Sequence, residues 1–468
     1  MNKEDLCFTS ASELIPMIRS KELSPVELLD AVLERIEALE PKLNAMATFT
    51  PELARQAAKA AETAVLRGGE LGPLTGIPVT IKDLHPMAGV PMESGSQIRK
   101  GVVPDQDAPF VARLKAAGAV PLGKTTVSEF GWKGVSQCPL TGITSNPWKL
   151  GYNAGASSAG AGAGAAAGYG PLHQGSDGAG SIRMPSHFSG VYGLKPSYGR
   201  IANWPVRNND QVSHIGPMTR TVSDAALMLR TMAGPHAWDH YSLEAPPADY
   251  AALLHKGIAG LKVAYSPDLG HARVDPEVAA LVADAVTAFS ELGCTVEEVA
   301  TPFAADGPEL IRFFWSVHEL EFVQFLAEWE DKMDPGLVAC IRDAEDKTAS
   351  EYVSMRSRKL TYIEKVHQFF DDWDLLLTPS VSVAAFPAER LQPDHWPQHP
   401  WDWVMWAEFS YPFNFSHNPA ASIPCGFTAE GLPVGLQIVG RRLDDLTVLQ
   451  ASRAFEQARP WADKRPPL

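Results

Sequence analysis

The segment covering residues 155–200 constrains this 468-residue chain more than any other part of its sequence. It reads GASSAGAGAGAAAGYGPLHQGSDGAGSIRMPSHFSGVYGLKPSYGR, and no Asp, Glu, Lys or Arg occurs between Lys149 and Asp177. Small residues let two backbone segments, or a backbone and a ligand, approach each other closely. Two serine-bearing turns, at residues 155–158 and 177–181, flank an alanine-rich stretch that predicts a helix. We therefore expect close backbone packing around two serines.

Three other interpretations of this segment are weaker. Flexible Gly/Ser linkers lack interleaved apolar segments, whereas this segment continues into a Ser-Ile-Arg-Met-Pro run. Residues 150–176 are long enough to cross a bilayer, but they consist of Gly, Ala, Ser, Asn and His rather than Leu and Ile. Residues 160–165 match a relaxed GxGxxA dinucleotide pattern, yet they follow a serine turn and not a strand.

Composition narrows the class of protein. The 40 Lys and Arg against 55 Asp and Glu give a net charge of −15, which argues against nucleic acid or an anionic membrane as partner. The five cysteines are scattered without a CxxC pair, which fits a reducing compartment and offers no zinc framework. The N-terminal residues lack the apolar core of a secretion signal. We expect a soluble cytoplasmic protein with no metal or other cofactor.

The alternation of strand and helix patterns predicts the fold class. Residues 77–81 form a short apolar run that predicts a buried strand, and Asp107 is expected to cap a helix that ends at Gly118. Residues 261–299 predict a βαβ unit. Such alternation is typical of an α/β fold, in which a mixed sheet is covered by helices on both faces.

Aromatic residues are concentrated between about 303 and 415. They are Phe313, Phe314, Trp315, Phe322, Phe325, Trp329, Trp396, Trp401, Trp403, Trp406 and Phe409. Aromatic side chains supply a large apolar area with few rotatable bonds, so this region is suited to form the wall of a binding cleft. An ordinary helical core explains the same pattern equally well.

Lys82 and the second serine turn are the strongest candidates for chemistry. Lys82 ends the buried strand, and an apolar environment lowers the pKa of a lysine so that it can act as a base. The consecutive small residues Gly178, Ala179, Gly180 and Ser181 allow several backbone N–H groups to point at one spot, as in an oxyanion hole. A surface lysine is the simpler interpretation of Lys82 alone, but the nearby serine turns favour catalysis.

Two motif-based alternatives have the wrong context. Residues 118–125 match the phosphate-binding pattern GxxxxGK[ST], which needs a strand before it and a helix after it. Here a strand is expected in the middle of the pattern, and Pro121 removes an N–H that a phosphate would need. A Ser-His-Asp hydrolase usually has GxSxG, which the chain lacks, so His173 and His187 are expected to be structural.

The motifs together resemble the amidase signature family of serine hydrolases. The resemblance rests on Gly76-Ile-Pro-Val-Thr-Ile-Lys82-Asp83, on residues 155–200, on Gly216-Pro-Met-Thr-Arg-Thr-Val-Ser-Asp224 and on Ser422-Ile-Pro-Cys-Gly426, in the family's order. It covers nearly the whole chain except the aromatic region 303–415. It implies a single amidase signature domain over residues 1–468, with that aromatic region lying at the substrate cleft.

The resemblance also implies roles for particular residues. Ser181 would be the nucleophile, Ser157 a bridging serine that follows a cis peptide bond, and Lys82 the base. The backbone N–H groups of the 178–181 turn would form the oxyanion hole, and Asp177 with Arg183 would support the turn. The chain departs from the family by reading GASSAGA and SDGAGS where GGSSGGS and TDxGGS are usual, which leaves the width of the cleft open.

The implied reaction is hydrolysis of a C–N bond in a small amide, anilide or carbamate (urethane). The aromatic region, with Gly131 and Trp132 as expected substrate contacts, favours an aryl or otherwise apolar substrate. The alternative within the family is an amidotransferase A-type subunit that releases ammonia from glutamine. The expected partner is the small-molecule substrate alone, without nucleic acid or membrane, and a homodimer is left open.

Overall fold

A computed structural model of the protein describes residues 1–244 and 248–468. The strands, in chain order, are β1 (Met46–Phe49), β2 (Pro78–Lys82), β3 (Val120–Thr125), β4 (Gln137–Cys138), β5 (Gly142–Ile143), β6 (Ser145–Asn146), β7 (Lys149–Asn153), β8 (Leu172–Asp177), β9 (Tyr192–Lys195), β10 (His214–Thr219), β11 (Lys262–Tyr265), β12 (Thr295–Glu298), β13 (Leu375–Pro379), β14 (Ala420–Phe427) and β15 (Pro433–Gly440). Within the described residues, eleven of them form one mixed sheet in the order β1-β3-β2-β8-β10-β9-β14-β15-β13-β11-β12. The predicted mixed α/β sheet is confirmed.

Helices connect these strands. They are α1 (Lys3–Phe8), α2 (Ala11–Arg19), α3 (Pro25–Leu43), α4 (Pro51–Arg67), α5 (Pro109–Ala116), α6 (Ala159–Ala167), α7 (Arg183–Ser189), α8 (Val222–Met232), α9 (Tyr250–Leu253), α10 (Pro276–Glu291), α11 (Gly307–Glu319), α12 (Leu326–Trp329), α13 (Pro335–Ala344), α14 (Ala349–Asp372), α15 (Tyr411–Phe415) and α16 (Asp445–Ala458). Helices α7, α10 and α16 pack on β14 and β15. Among the described residues, no helix combines the length and apolar character needed to cross a bilayer.

The helix predictions hold in most places and fail at one cap. The alanine-rich stretch of the glycine run is helix α6, and it ends at Gly168 in the left-handed conformation that glycine adopts without strain. Helix α5, however, begins after Ala108 and not after Asp107. The Asp107 carboxylate instead accepts a hydrogen bond from the Ala88 N–H and forms an ion pair with Lys115. A nearby cation and a neighbouring loop therefore outcompete the helix end for this side chain.

The order of the central strands determines where the functional side chains meet. Strand β2 lies between β3 and β8 and runs parallel to both. The carboxyl ends of parallel strands meet at one edge of a sheet, so Lys82 at the end of β2 lies beside the end of β8. The predicted βαβ unit is also present, because β11 and β12 pair in parallel. Strand β8, inside the glycine run, was not predicted.

The aromatic region 303–415 forms a second hydrophobic core beside the main one. Trp403, Trp406 and Phe409 are fully or almost fully buried in it. The Nε1 of Trp403 donates to a backbone carbonyl 2.8 Å away, and the Nε1 of Trp406 donates to another at 3.0 Å. For this tryptophan cluster, therefore, the interpretation as an ordinary core holds.

The phosphate-binding pattern at residues 118–125 is part of the sheet. Lys124 lies in β3, is fully buried, and places its Nζ 2.7 Å from the His85 carbonyl and 3.3 Å from Asp83 Oδ1. The Asp83 carboxylate also accepts the Ser94 N–H at 2.8 Å. The lysine thus stabilises the loop that follows β2, which is the strand that carries Lys82.

Replacing Lys124 with Met should lower the free energy of unfolding by about 3–5 kcal/mol, since the Asp83 carboxylate would remain buried without its cation. Urea denaturation measures this change. The double variant Asp83→Asn/Lys124→Met should lose less, because neither charge remains to be desolvated. A single variant within about 1 kcal/mol of wild type, the range of an exposed ion pair, would contradict this role.

Candidate active site

Ser157 lies in the turn just before helix α6. The Ala156–Ser157 peptide bond is cis, as the family resemblance implies. Gly155 precedes it with a φ of +77°, and a Cβ at that position would lie 2.4 Å from the Cα of Pro185 in helix α7. Only glycine fits there, because the backbone of the turn contacts the backbone of the helix. The close approach couples the Ser157 turn to the helix that follows Ser181.

Lys82 is fully buried, and its side chain contacts this turn. Its Nζ lies 2.7 Å from Ser157 Oγ, 2.8 Å from Ser158 Oγ and 3.0 Å from the carbonyl oxygen of Ser176. Burial holds the pKa of Lys82 well below its usual value, although the negative charge of Asp177 opposes this effect. The amine is therefore set up to be neutral and to exchange a proton with a serine hydroxyl. Ser158, which the sequence analysis did not single out, completes the amine's contacts.

Ser181 lies between β8 and helix α7 and lines the same cleft as Ser157. Gly178 and Gly131 contribute to the wall of this cleft as well. Strand β8 places the turn after Asp177 directly beside the end of β2, so the chain brings the lysine, both serines and the glycine turn into one place. The structure thus assembles the residues that the sequence pointed to.

The backbone N–H groups of the 178–181 turn are not equivalent. The Gly180 N–H donates to Asp177 Oδ1 at 2.7 Å, so the carboxylate occupies it. Among the residues that the structure describes, the N–H groups of Gly178, Ala179 and Ser181 have no hydrogen-bond acceptor. Buried N–H groups are almost always paired, so three unpaired ones in a turn whose Gly178 and Ser181 line the cleft are suited to bind an anionic oxygen.

A buried ion pair holds the turn in place. Asp177 and Arg183 are both fully buried, with Arg183 Nη2 2.9 Å from Asp177 Oδ1. Burial alone would raise the pKa of Asp177, but the charge and hydrogen bonds of Arg183 hold it well below its usual value. Arg183 Nη1 also donates to Gln437 Oε1 at 2.8 Å. The carboxylate that accepts the Gly180 N–H is therefore permanently charged and fixed.

Helix α15 and the residue before it orient the peptide groups of the turn. Asn414 Nδ2 donates to the Asp177 carbonyl at 2.9 Å, and Ser410 Oγ donates to the Ala179 carbonyl at 2.6 Å. In a trans peptide the carbonyl and the next N–H point in opposite directions. The bond from Asn414 therefore turns the Gly178 N–H away from α15, towards the cleft that Gly178 lines. The bond from Ser410 likewise turns the Gly180 N–H towards Asp177.

Gly131 lies where the sequence analysis expected it, and Trp132 does not. Gly131 lines the cleft with a φ of +85°, and a Cβ there would lie 3.1 Å from Ser157 Oγ. Trp132 lies outside the cleft, in the aromatic core, where its indole ring packs over Gly336 and its carbonyl accepts the Nε1 of Trp315 at 2.9 Å. Of the two predicted substrate contacts, Gly131 therefore lines the cleft, whereas the Trp132 indole packs in the aromatic core.

The sequence analysis named Trp315 within the aromatic region, and several other residues that line the cleft were missed because they belong to no recognisable motif. The missed residues are Leu84, His85, Phe130, Asn203, Arg207, Asn209, Ser213, His214, His318, Glu319 and Glu321. The histidines near the glycine run are structural, as expected. His173 Nδ1 lies 2.8 Å from Thr80 Oγ1, and His187 Nε2 lies 3.0 Å from the Val383 carbonyl. Among the described residues, no three His, Cys, Asp or Glu side chains are grouped to hold a metal ion.

A family model described as Amidase matches residues 27–449 of the chain. The protein belongs to this family. The amidase is 38% identical to an acylamidase from Rhodococcus erythropolis, over all of this chain and 98% of the relative. It is also 34% identical to the A-type subunit of the glutamyl-tRNA(Gln) amidotransferase from Moorella thermoacetica, over 99% of each chain.

Solved structures agree with this assignment. The structure of a bacterial aryl acylamidase of the amidase signature family superposes with a TM-score of 0.91 at 30% identity, covering 97% of both chains. That of a 6-aminohexanoate cyclic dimer hydrolase superposes with a TM-score of 0.90 at 29% identity, covering 98% of this amidase and 99% of the other chain. The protein has the amidase signature fold and is a hydrolase that acts on C–N bonds.

Replacing Gly131 with Ala should reduce turnover of an anilide substrate at least about tenfold, because the new methyl group would press on Ser157 Oγ. Steady-state hydrolysis of a p-nitroanilide measures the effect. Gly142→Ala is the matched control, since Gly142 has a similar φ of +79° but no atom within 4 Å of the added Cβ. Equal turnover in the two variants would show that the methyl group leaves Ser157 undisturbed.

Proposed function

We propose that this amidase hydrolyses the C–N bond of a small aryl or otherwise apolar amide or carbamate. Ser181 is the nucleophile, Ser157 carries the proton and neutral Lys82 is the base. The observation that supports this proposal best is the 2.7 Å contact between the Lys82 Nζ and Ser157 Oγ at a fully buried position beside the cleft that Ser157 shares with Ser181.

The proposed reaction has two stages. Ser181 Oγ attacks the substrate carbonyl carbon while its proton passes to Ser157, whose own proton passes to Lys82. The C–N bond then breaks, and the leaving amine takes up a proton by the same route in reverse. Water next attacks the acyl group on Ser181, again losing its proton through Ser157 to Lys82. Proton return to Ser181 Oγ releases the acid and restores the enzyme.

The negative oxygen that forms on the carbonyl needs donors in the cleft. The N–H groups of Gly178, Ala179 and Ser181 are available for this role, whereas the Gly180 N–H is held by Asp177. We therefore assign the oxyanion hole to three N–H groups of the turn, and give Gly180 the task of fixing its shape. Donors preorganised in this way stabilise developing charge in the transition state without reorganisation.

The apolar part of the cleft supports an aryl or alkyl group on the substrate. Leu84, Phe130 and Trp315 line the cleft next to the serines. An adjoining cavity of about 320 Å³ contains Phe322 and Phe325, and the rings of Phe130 and Phe322 stack with centroids 4.2 Å apart. The acylamidase relative and the aryl acylamidase structure point to the same class of substrate. A carbamate presents the same carbonyl geometry to Ser181.

The second candidate is the glutamine-hydrolysing role of an amidotransferase A-type subunit. The similarity to the amidotransferase chain of Moorella thermoacetica supports it. Ammonia release from glutamine by the purified chain, measured beside hydrolysis of an anilide, separates the two functions. Hydrolysis of glutamine alone would favour the amidotransferase role.

The rate constant kcat/KM should rise with pH through the lowered pKa of Lys82 and level off above it. Lys82 accepts a proton only when neutral, and burial favours the neutral amine. The profile is measured with a p-nitroanilide, whose leaving group does not titrate in this range, and thermal unfolding at each pH shows that the fold is kept. A kcat/KM that rises nowhere across the pH range in which the enzyme stays folded would count against Lys82 as the base.

Replacing Ser181 with Ala should lower kcat for a p-nitroanilide at least about a thousandfold, with little change in thermal stability, because the nucleophile is lost. Ser223→Ala, a change outside the cleft at the start of helix α8, is the control. Hydroxylamine added during turnover should trap the acyl group as a hydroxamate with wild type only. Wild-type turnover in the Ser181 variant would show that another group attacks the substrate.

A further inference from the structure

Three charged side chains of the cleft have no part in the proposed proton relay. Arg207 comes from the loop before β10, Glu319 ends helix α11, and Glu321 lies just beyond that helix. Trp315, one turn before Glu319 on the same helix, lines the cleft too. The polar wall formed by these charged groups therefore lies in the same cleft as Ser157 and Ser181.

Glu319 is the unusual member of this wall. It is only 7% exposed, and among the described residues no group donates a hydrogen bond to its carboxyl. Burying a carboxyl group without a hydrogen-bond donor costs free energy, and most buried polar groups in proteins have a hydrogen-bond partner. Burial raises the pKa of Glu319 to about 8, and the neighbouring Glu321 adds to the effect. A cation that enters the cleft would therefore readily ionise this carboxyl.

The positive side chain that acts on Glu319 does not donate a hydrogen bond to it. Arg207 donates to the Phe130 carbonyl at 3.1 Å and acts on Glu319 through its charge, without a hydrogen bond. The charges of Arg99 and Arg207 both lower the pKa of Glu321. For Glu319, the charge that lowers the pKa is that of Arg207. The Glu319 carboxyl is therefore available to a donor on a molecule bound in the cleft.

We propose that Glu319 determines specificity by binding a second nitrogen of the substrate, an ammonium or an N–H group beyond the scissile bond. The preferred substrates are then amides that carry an additional amine. This inference rests on the proposed function, because it takes the cleft of Ser181 to be the substrate site. It refines the expectation of a wholly apolar substrate, since the rings of Phe130 and Trp315 still contact the apolar part.

Matched pairs of anilides test this inference. β-Alanyl and 6-aminohexanoyl p-nitroanilide carry an ammonium group where butyryl and heptanoyl p-nitroanilide carry a methyl group, so each pair differs at one position. Wild type should prefer the ammonium member of at least one pair by about tenfold or more in kcat/KM. N-formyl derivatives of the two amino compounds test the neutral N–H in the same way.

The variants separate charge from hydrogen bonding. Glu319→Met should abolish the preference, which is measured as the ratio of kcat/KM for the two members of each pair. Glu319→Gln, which keeps an acceptor oxygen and nearly the same shape, should lose the preference for ammonium and keep that for the formyl derivatives. Glu328→Gln, at an exposed position on helix α12, is the control and should behave as wild type. Thermal unfolding of each variant shows whether it folds.

The outcomes distinguish this inference from the proposed function. If wild type hydrolyses the methyl-terminated anilides without preferring the amino or formyl members, the role of Glu319 is refuted and the proposed function stands. A preference that survives in Glu319→Met, or an equal loss of all activities in both folded Glu319 variants, also refutes it. If wild type hydrolyses none of these anilides, or if Ser181→Ala hydrolyses them as well as wild type does, the proposed function itself is refuted.

Discussion

The burial of one lysine amine against two serine hydroxyls is the interaction on which the rest of the site depends. Strands β3 and β8 pair with both edges of β2, so water has no access to Lys82 at its end. The amine forms its hydrogen bonds with hydroxyl and carbonyl oxygens. A carboxylate in their place would have kept the amine charged. The two acidic residues adjacent in the chain to these contacts have other partners, since Asp177 pairs with Arg183 and Asp83 pairs with Lys124. The sheet and the ion pair thus both favour a neutral lysine amine.

The glycine and alanine run at residues 155–200 places the serine hydroxyls against the lysine amine. Its residues place a turn, a helix, a strand and a second turn in a space where few side chains would fit, as Gly155 against Pro185 shows. The 178–181 turn is then clamped by Asn414 and Ser410, residues more than two hundred positions away in the sequence. The shape of the turn is therefore a property of the whole fold.

The sequence pointed to residues that the structure brings together, and it left most of the cleft wall unpredicted. The end of a buried strand singled out Lys82, whereas Ser157 and Ser181 were singled out by the family resemblance of the small-residue turns. Trp132 was expected at the cleft with Gly131, but its indole packs in the aromatic core against residues that are distant in the sequence. Glu319 could not be found, because a carboxyl in the last turn of an ordinary helix becomes unusual only when the sheet, the loop of Arg207 and the helix meet.

The contact between Gly155 and Pro185 limits which parts of the cleft can change by substitution. It joins the Ser157 turn to helix α7, so the two serines form one rigid unit attached to the sheet. The opposite wall comes from separate elements, helix α11 and the loop that carries Arg207. Substitutions in that wall can therefore change the shape and charge of the cleft without replacing any residue of the two serine turns.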